Sequence, residues 1–219
     1  MANLTQTTAE IQSNLDWHIS KAEGAGIKVD PAAPTFGWQD LESVFLPDTA
    51  NPTTSPSMEV FRTGVKGYAF DASDEVVCNF HVPHDWVPNH DALCHIHWAH
   101  NGTNVAAGNL TVSAIGVYGD RGGNFGAPIT LATISHAMVD ISTTPQYCHH
   151  VTEVPLCMAS PSANEFDSND INVDGLFQIT FKVTNLPTIT GGDLFIFNAD
   201  MHYQTTNIGT KQNAAPFYT

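Results

Sequence analysis

From residue 58 onward the chain is a succession of short strand-like runs set apart by turn signals, and that pattern admits little besides a sheet protein. The runs are MEVFR, GYAF, EVVCNFHV, ALCHIHWA, LTVSAIGVY, ITLATI, QYCHHVTEV, GLFQITFKV and DLFIFNADMHYQ. The segments NGT, GDRGG, SND and TGGD punctuate them. Alternation is sharpest in LFQITFKV, residues 176–183. There Leu176, Gln178, Thr180 and Lys182 face one way, and Phe177, Ile179, Phe181 and Val183 form a wholly apolar opposite face. Strands with one apolar side need a second layer to cover it. With almost no helix between the runs, the expected fold is all-β, a two-sheet sandwich of the jelly-roll type. No repeat of fixed period is visible. The 219 residues are enough to bury a core, and a 42% hydrophobic share fits neither a disordered chain nor a membrane span.

The flanks read differently, which divides the chain into residues 1–56, 57–205 and 206–219. Residues 7–22 predict a short amphipathic helix: Ile11, Leu15 and Ile19 make one stripe, Thr7 with Glu10 forms a capping-box pattern, and Gly24 and Gly26 end it. A lone helix of that length does not hold itself in water and needs a surface to dock on. Pro31, Pro34, Pro52 and Pro56 then mark an extended arm, with Phe36 and Trp38 as its anchors. The tail TTNIGTKQNAAPFYT is polar until Phe217 and Tyr218, which are suited to docking on a neighbour.

Acidic residues number 22 against 7 basic ones, a formal net charge of -15. No Lys or Arg lies between Lys66 and Arg121, or between Arg121 and Lys182. Such a surface repels phosphate backbones, so nucleic acid is not an expected partner. No apolar run approaches the roughly 18 residues of a membrane-spanning helix, so no membrane partner is expected either. The opening MANLTQTTAEIQSNL lacks the basic start and apolar stretch of a secretory signal, which sets the expectation of synthesis and assembly in a cytoplasm. Cys78, Cys94, Cys148 and Cys157 form no C-x-x-C pair and read as free thiols.

Histidine carries the candidate chemistry. In CHIHWAHNG, residues 94–102, alternation puts Cys94, Ile96 and Trp98 on one face, and His95 and His97 on the other. Parallel imidazoles two residues apart suit one ion, and His202 on a late strand is the candidate third ligand; zinc, iron or manganese fits such a set. Beyond a divalent ion at these histidines, no cofactor is expected. The pair resembles the first motif of the cupin family, but the Glu that family places three or four residues on is missing: no Glu occurs between Glu75 and Glu153. A threefold assembly offers another use, six nitrogens from three chains around one axial ion. The plain alternative is that the imidazoles hydrogen-bond within a half-buried sheet, because histidines such as His81, His84, His90, His136, His149 and His150 follow no metal spacing.

DINVDG, residues 170–175, matches the first half of a calcium loop through Asp170, Asn172, Asp174 and Gly175, but Phe181 stands where the bidentate Glu belongs. Hydrolase elbows, P-loops and dinucleotide fingerprints are absent from the sequence. Asp85 beside His84 and Asp91 beside His90 are the remaining acid–base pairs, on a proline-fixed connector that Trp86 anchors. No enzymatic activity is expected.

Three blocks, PTFGWQDLES, FHVPHDWVPNHDALCHIHWAHNG and ADMHYQTTNIGTKQNAAPFY, resemble segments of a little-characterised group of tailed-bacteriophage proteins taken to be virion components. That group has Arg in place of Gln39 and an aromatic or aliphatic residue in place of Cys94. The resemblance implies a virion structural protein. Its expected role is capsid decoration or cementing, with the major capsid protein and further copies of itself, as a homotrimer, for partners. The alternatives are a tail or fibre component binding a glycan through Trp86 and Trp98, and a metal-dependent enzyme on a cupin-like body.

Overall fold

The computed structural model describes residues 19–21, 25–27, 37–47 and 53–205. Its strands, in chain order, are β1 (Ile19–Lys21), β2 (Ala25–Ile27), β3 (Gly37–Ser43), β4 (Leu46–Pro47), β5 (Ser57–Arg62), β6 (Val65–Phe70), β7 (Glu75–His81), β8 (Ala92–His100), β9 (Asn104–Val105), β10 (Gly108–Gly119), β11 (Ile129–Thr130), β12 (Ile134–Met138), β13 (His150–Met158), β14 (Phe166–Asp167), β15 (Leu176–Asn185), β16 (Ile189–Thr190) and β17 (Leu194–Thr205). One 3-10 turn, Ser168–Asp170, interrupts them.

Two large sheets make the body. One runs β14-β13-β8-β17-β6-β5, with β3 also on β17; the other runs β11-β10-β15-β7-β4, with β12 also on β10. The long strands therefore read β6-β17-β8-β13 in one layer and β7-β15-β10-β12 in the other. Chain order passes repeatedly from layer to layer, which is the interleaving of a jelly roll. The all-β sandwich expected from the alternation is what forms.

The core lies between the layers. Phe177, Ile179, Phe181 and Val183 of β15 are buried, as their alternation requires, and they meet Cys94, Ile96 and Trp98 of β8 and Leu194 and Ile196 of β17 in one cluster. Trp86 and Val87 close one end: Val87 N–H donates to the Gln204 carbonyl at 3.1 Å, and the Trp86 ring stacks on Tyr203. At the other end the NGT and TGGD turns lie against each other. A Cβ on Gly192 would fall 2.4 Å from the Gly102 nitrogen, so only glycine fits there. Cys78, Cys94 and Cys157 are free and buried, and Cys148 is free and half-buried.

Three segments depart from the pattern reading. Ile19–Lys21, expected as the end of the N-terminal helix, is instead a strand paired antiparallel with Ala25–Ile27, with Ile19 in register with Ile27. Ile11 and Leu15 lie outside the described residues, as do Phe36, Phe217 and Tyr218. Within the stretch read as an extended arm, β3 pairs with β17 and β4 with β7, and Phe45 between them is buried against Phe70 of one layer and Phe181 of the other. The run QYCHHVTEV starts its strand late. Tyr147 sits at φ 61°, off the extended region, and β13 continues past Pro155 across a register shift where a proline is tolerated.

Phe177→Ala tests the core. The ring is fully buried against Tyr118 and Phe166, and its removal should cost about 3–5 kcal/mol, read as a lower urea midpoint with unchanged slope. A loss below about 1 kcal/mol would mean that no packed interior surrounds this ring.

Candidate functional site

The candidate site is built on β8, which is flanked on both sides. His95 lies opposite Glu153 of β13 and Asp200 of β17; His97 lies opposite Val151 and Asn198. Because Cys94, Ile96 and Trp98 fill the interior, both imidazoles project from the outer face of the sheet, as the alternation predicts. His95 Nδ1 is 3.1 Å from Asp200 Oδ1, and its Nε2 is 3.4 Å from Glu153 Oε2. His97 Nε2 meets Asp200 Oδ2 in a short contact, while its Nδ1 lies 2.9 Å from Nε2 of His149, with the two rings stacked.

Asp200 is the centre of this group. It is 3% exposed. Among the described residues its ion pairs are with His95 and His97 alone, so no Lys or Arg compensates it. Its Oδ1 accepts no hydrogen bond, since the nearby His95 nitrogen is not aligned with it. A carboxylate taken out of water in this way needs a positive partner.

His202 adjoins the group. Its ring stacks on His95 with centroids 4.9 Å apart and on Trp38 with centroids 4.8 Å apart, and its Nδ1 is 2.5 Å from Asp40 Oδ1. Two sets of ligating atoms result, each with all members within 4.8 Å of one another: His95, His97 and Asp200, and Asp40, His95 and His202. The expected triad of His95, His97 and His202 is therefore not one set. On β17 it is Asp200 that stands opposite His95, whereas His202 stands opposite Leu93, one strand repeat further along. The signal was present in the sequence, because Asp200 and His202 share a strand face at a spacing of two. Trp38, expected as an anchor on another molecule, lies on His202 of its own chain with 43% of its surface exposed.

The remaining candidates resolve differently. Trp86 and Trp98, proposed as sugar platforms, are core residues with 1% and 0% exposure. In the calcium-like loop, Asp174 is taken by cations and imidazoles: Arg121 Nη1 at 2.9 Å, His84 Nε2 at 3.0 Å and His81 Nε2 at 3.2 Å. Asn172 Nδ2 donates to Asp120, so these side chains do not converge on an ion. His84 thus pairs with Asp174 rather than Asp85, which accepts from Tyr203 and Thr205, and Asp91 accepts from the Ala159 amide.

A second histidine group faces inward. His150 stacks on Trp98 at 4.4 Å and lies 5.4 Å from His136, while the buried His100 binds the Thr144 carbonyl through Nε2 at 2.7 Å. Beside them is a cavity of about 10 Å³, lined by Ile96, Trp98, Leu110, Val112, Ile134 and His136 among others, with room for no more than a water. Burial holds His136 and His150 below the usual imidazole value of 6.5, and His136, His100 and His149 push His150 down further.

The sign of the resulting pH dependence is fixed. A folded-state value below the unfolded one favours the neutral ring, so the contribution to stability is full above about pH 6.5 and is lost as pH falls below it. His150→Phe keeps the stack on Trp98 and removes the titration. Urea midpoints followed from about pH 8 to about pH 5 should decline less steeply for this variant than for the parent chain, and equal slopes would count against a neutral buried His150.

Neither a protein-family model nor a curated protein matches this chain, so the site is read from its own geometry.

Proposed function

We propose that this chain is a structural protein of a tailed-bacteriophage virion, and specifically a decoration or cement protein that grips the major capsid shell and neighbouring copies of itself as a homotrimer. The observation that carries the reading is where the three phage-like blocks fall. They are far apart in sequence, yet the first contributes β3, the second the end of β7, the connector and β8, and the third the end of β17. β3 and β8 both pair with β17, so the blocks meet in one patch of sheet around Trp38, His95, His97, Asp200 and His202. That the described parts of the three blocks lie side by side in one sheet supports a role for its outer face.

Two further features support a building block. On the edge strand β5, Met58 and Val60 pair with Tyr68 and Lys66 and so share the core-side face with Phe70, yet they are 51% and 52% exposed. An edge strand with an uncovered apolar side is a liability in isolation and an asset at an interface. The acidic surface suits a partner with a basic face. Synthesis in the bacterial cytoplasm and residence in the particle follow from this role.

Quantitative mass spectrometry of purified virions decides the matter. A copy number close to that of the major capsid protein is the expected result. A copy number matching the tail components would move the chain to a tail or fibre role, and absence from the particle would end the virion reading.

A further inference from the structure

We propose that His95, His97 and Asp200 hold one divalent transition-metal ion of the zinc class on the outer face of the sheet, whatever part the chain plays in a particle. The three ligating atoms already lie within 4.8 Å of one another. They come from the middle of two paired strands, β8 and β17, with β13 on the far side of β8, so main-chain hydrogen bonds hold all three in place. His95 Nδ1 lies 3.1 Å from one Asp200 carboxylate oxygen, and His97 Nε2 contacts the other. An ion between the three would replace these contacts with bonds from two imidazoles and one carboxylate, leaving positions open to water.

The far side of each ring carries a partner that suits a metal-bound imidazole. An imidazole that binds an ion through one nitrogen characteristically donates its other N–H to a fixed acceptor. His95 has Glu153 Oε2 at 3.4 Å from its remaining nitrogen, and His97 has His149 Nε2 at 2.9 Å from its own. With an ion in place, each ring would present a lone pair to it through one nitrogen and donate its remaining N–H to that partner. Independently of that arrangement, Asp200 is 3% exposed and its Oδ1 is without a hydrogen-bond donor, a buried acceptor aimed into the cluster. Nitrogen ligands select zinc, cobalt, nickel or iron over calcium and magnesium. His202 and Asp40 share only His95 with this set, so they flank the ion rather than complete its coordination.

The test uses the full, untagged chain, stripped with chelator and titrated with Zn2+ and with Co2+ against a chromophoric competitor. One equivalent per chain is expected, with visible absorption bands from the cobalt form. Asp200→Asn should weaken binding by about a hundredfold, and Glu153→Gln, whose carboxylate pairs with His95, by about tenfold. His84→Ala, in the separate Asp174 group, should leave affinity unchanged. Because Asp200 is buried, His97→Gln at a half-exposed position serves as a second ligand variant, read also by loss of the Zn2+-induced rise in melting temperature. Absence of stoichiometric binding overturns the proposal. So does one ion per three chains, which would place the ion on an assembly axis, or unchanged affinity in both ligand variants.

Discussion

A strand has two faces, and in β8 the core takes one of them. Cys94, Ile96 and Trp98 fill the space between the sheets, so His95 and His97 have only the outer face left. A slip of one residue in register would bury two imidazoles and expose the indole, which makes the pairing of β8 with β13 and β17 strongly specified. The same constraint builds the cluster. Once the register is set by packing inside, Asp200 and Glu153 are delivered to either side of His95 outside. Fold and candidate site are two sides of one pairing, and neither can be altered without the other.

Electrostatics then narrows what the outer side can be. This chain holds 22 acidic residues against 7 basic ones, so cations are scarce. Where a cation serves a carboxylate, the arrangement is conventional: Lys182 pairs with Glu75 and Arg121 with Asp174, both toward the surface. At Asp200 the chain buries a carboxylate deep in a central strand and provides only imidazoles. Removing such a group from water costs several kcal/mol in general. Two neutral rings compensate that poorly, whereas a protonated ring or a shared metal ion does so directly. The partners on the outer side of the two rings suit a shared ion. Glu153 and His149 lie at the far nitrogens of His95 and His97, where a ring bound to an ion would donate its remaining N–H.

How much of this was legible in the sequence follows from the range of each signal. The alternation of LFQITFKV and of ALCHIHWA is local, repeats every second residue and survives folding intact, so the layers, the inward Trp98 and the outward His pair could all be read. The third ligand was harder. Its choice between Asp200 and His202 depends on the register of β17 against β8, a non-local quantity, and both residues occupy the same face. Trp86 illustrates the opposite error: an aromatic residue beside polar neighbours suggests an exposed platform, but only three-dimensional packing says that its ring is covered. The DINVDG loop failed as a calcium site because Arg121, His81 and His84 converge on Asp174 from other elements. The stretch around Phe45 read as an extended arm because Pro31 and Pro34 precede it and Pro52 and Pro56 follow it. Its anchoring depends on Phe70 and Phe181, which sequence proximity does not reveal.

β3 joins these observations. Most of its residues are exposed, and β4 follows it onto the opposite sheet, so the segment crosses from one layer to the other with Phe45 as its buried anchor. What its side chains hold is specific: Trp38 and Asp40 both engage His202, Gln39 reaches Tyr203, and Ser43 bonds to the Asn79 main chain of β7. His202 in turn stacks on His95. The docking of this crossing segment and the arrangement of the histidine cluster are therefore coupled through one ring. A jelly roll brings an early, a middle and a late strand side by side. A surface built on those three strands must leave its mark in three separate stretches of sequence, and the blocks beginning PTFGWQDLES, FHVPHDW and ADMHYQ are distributed as that topology demands.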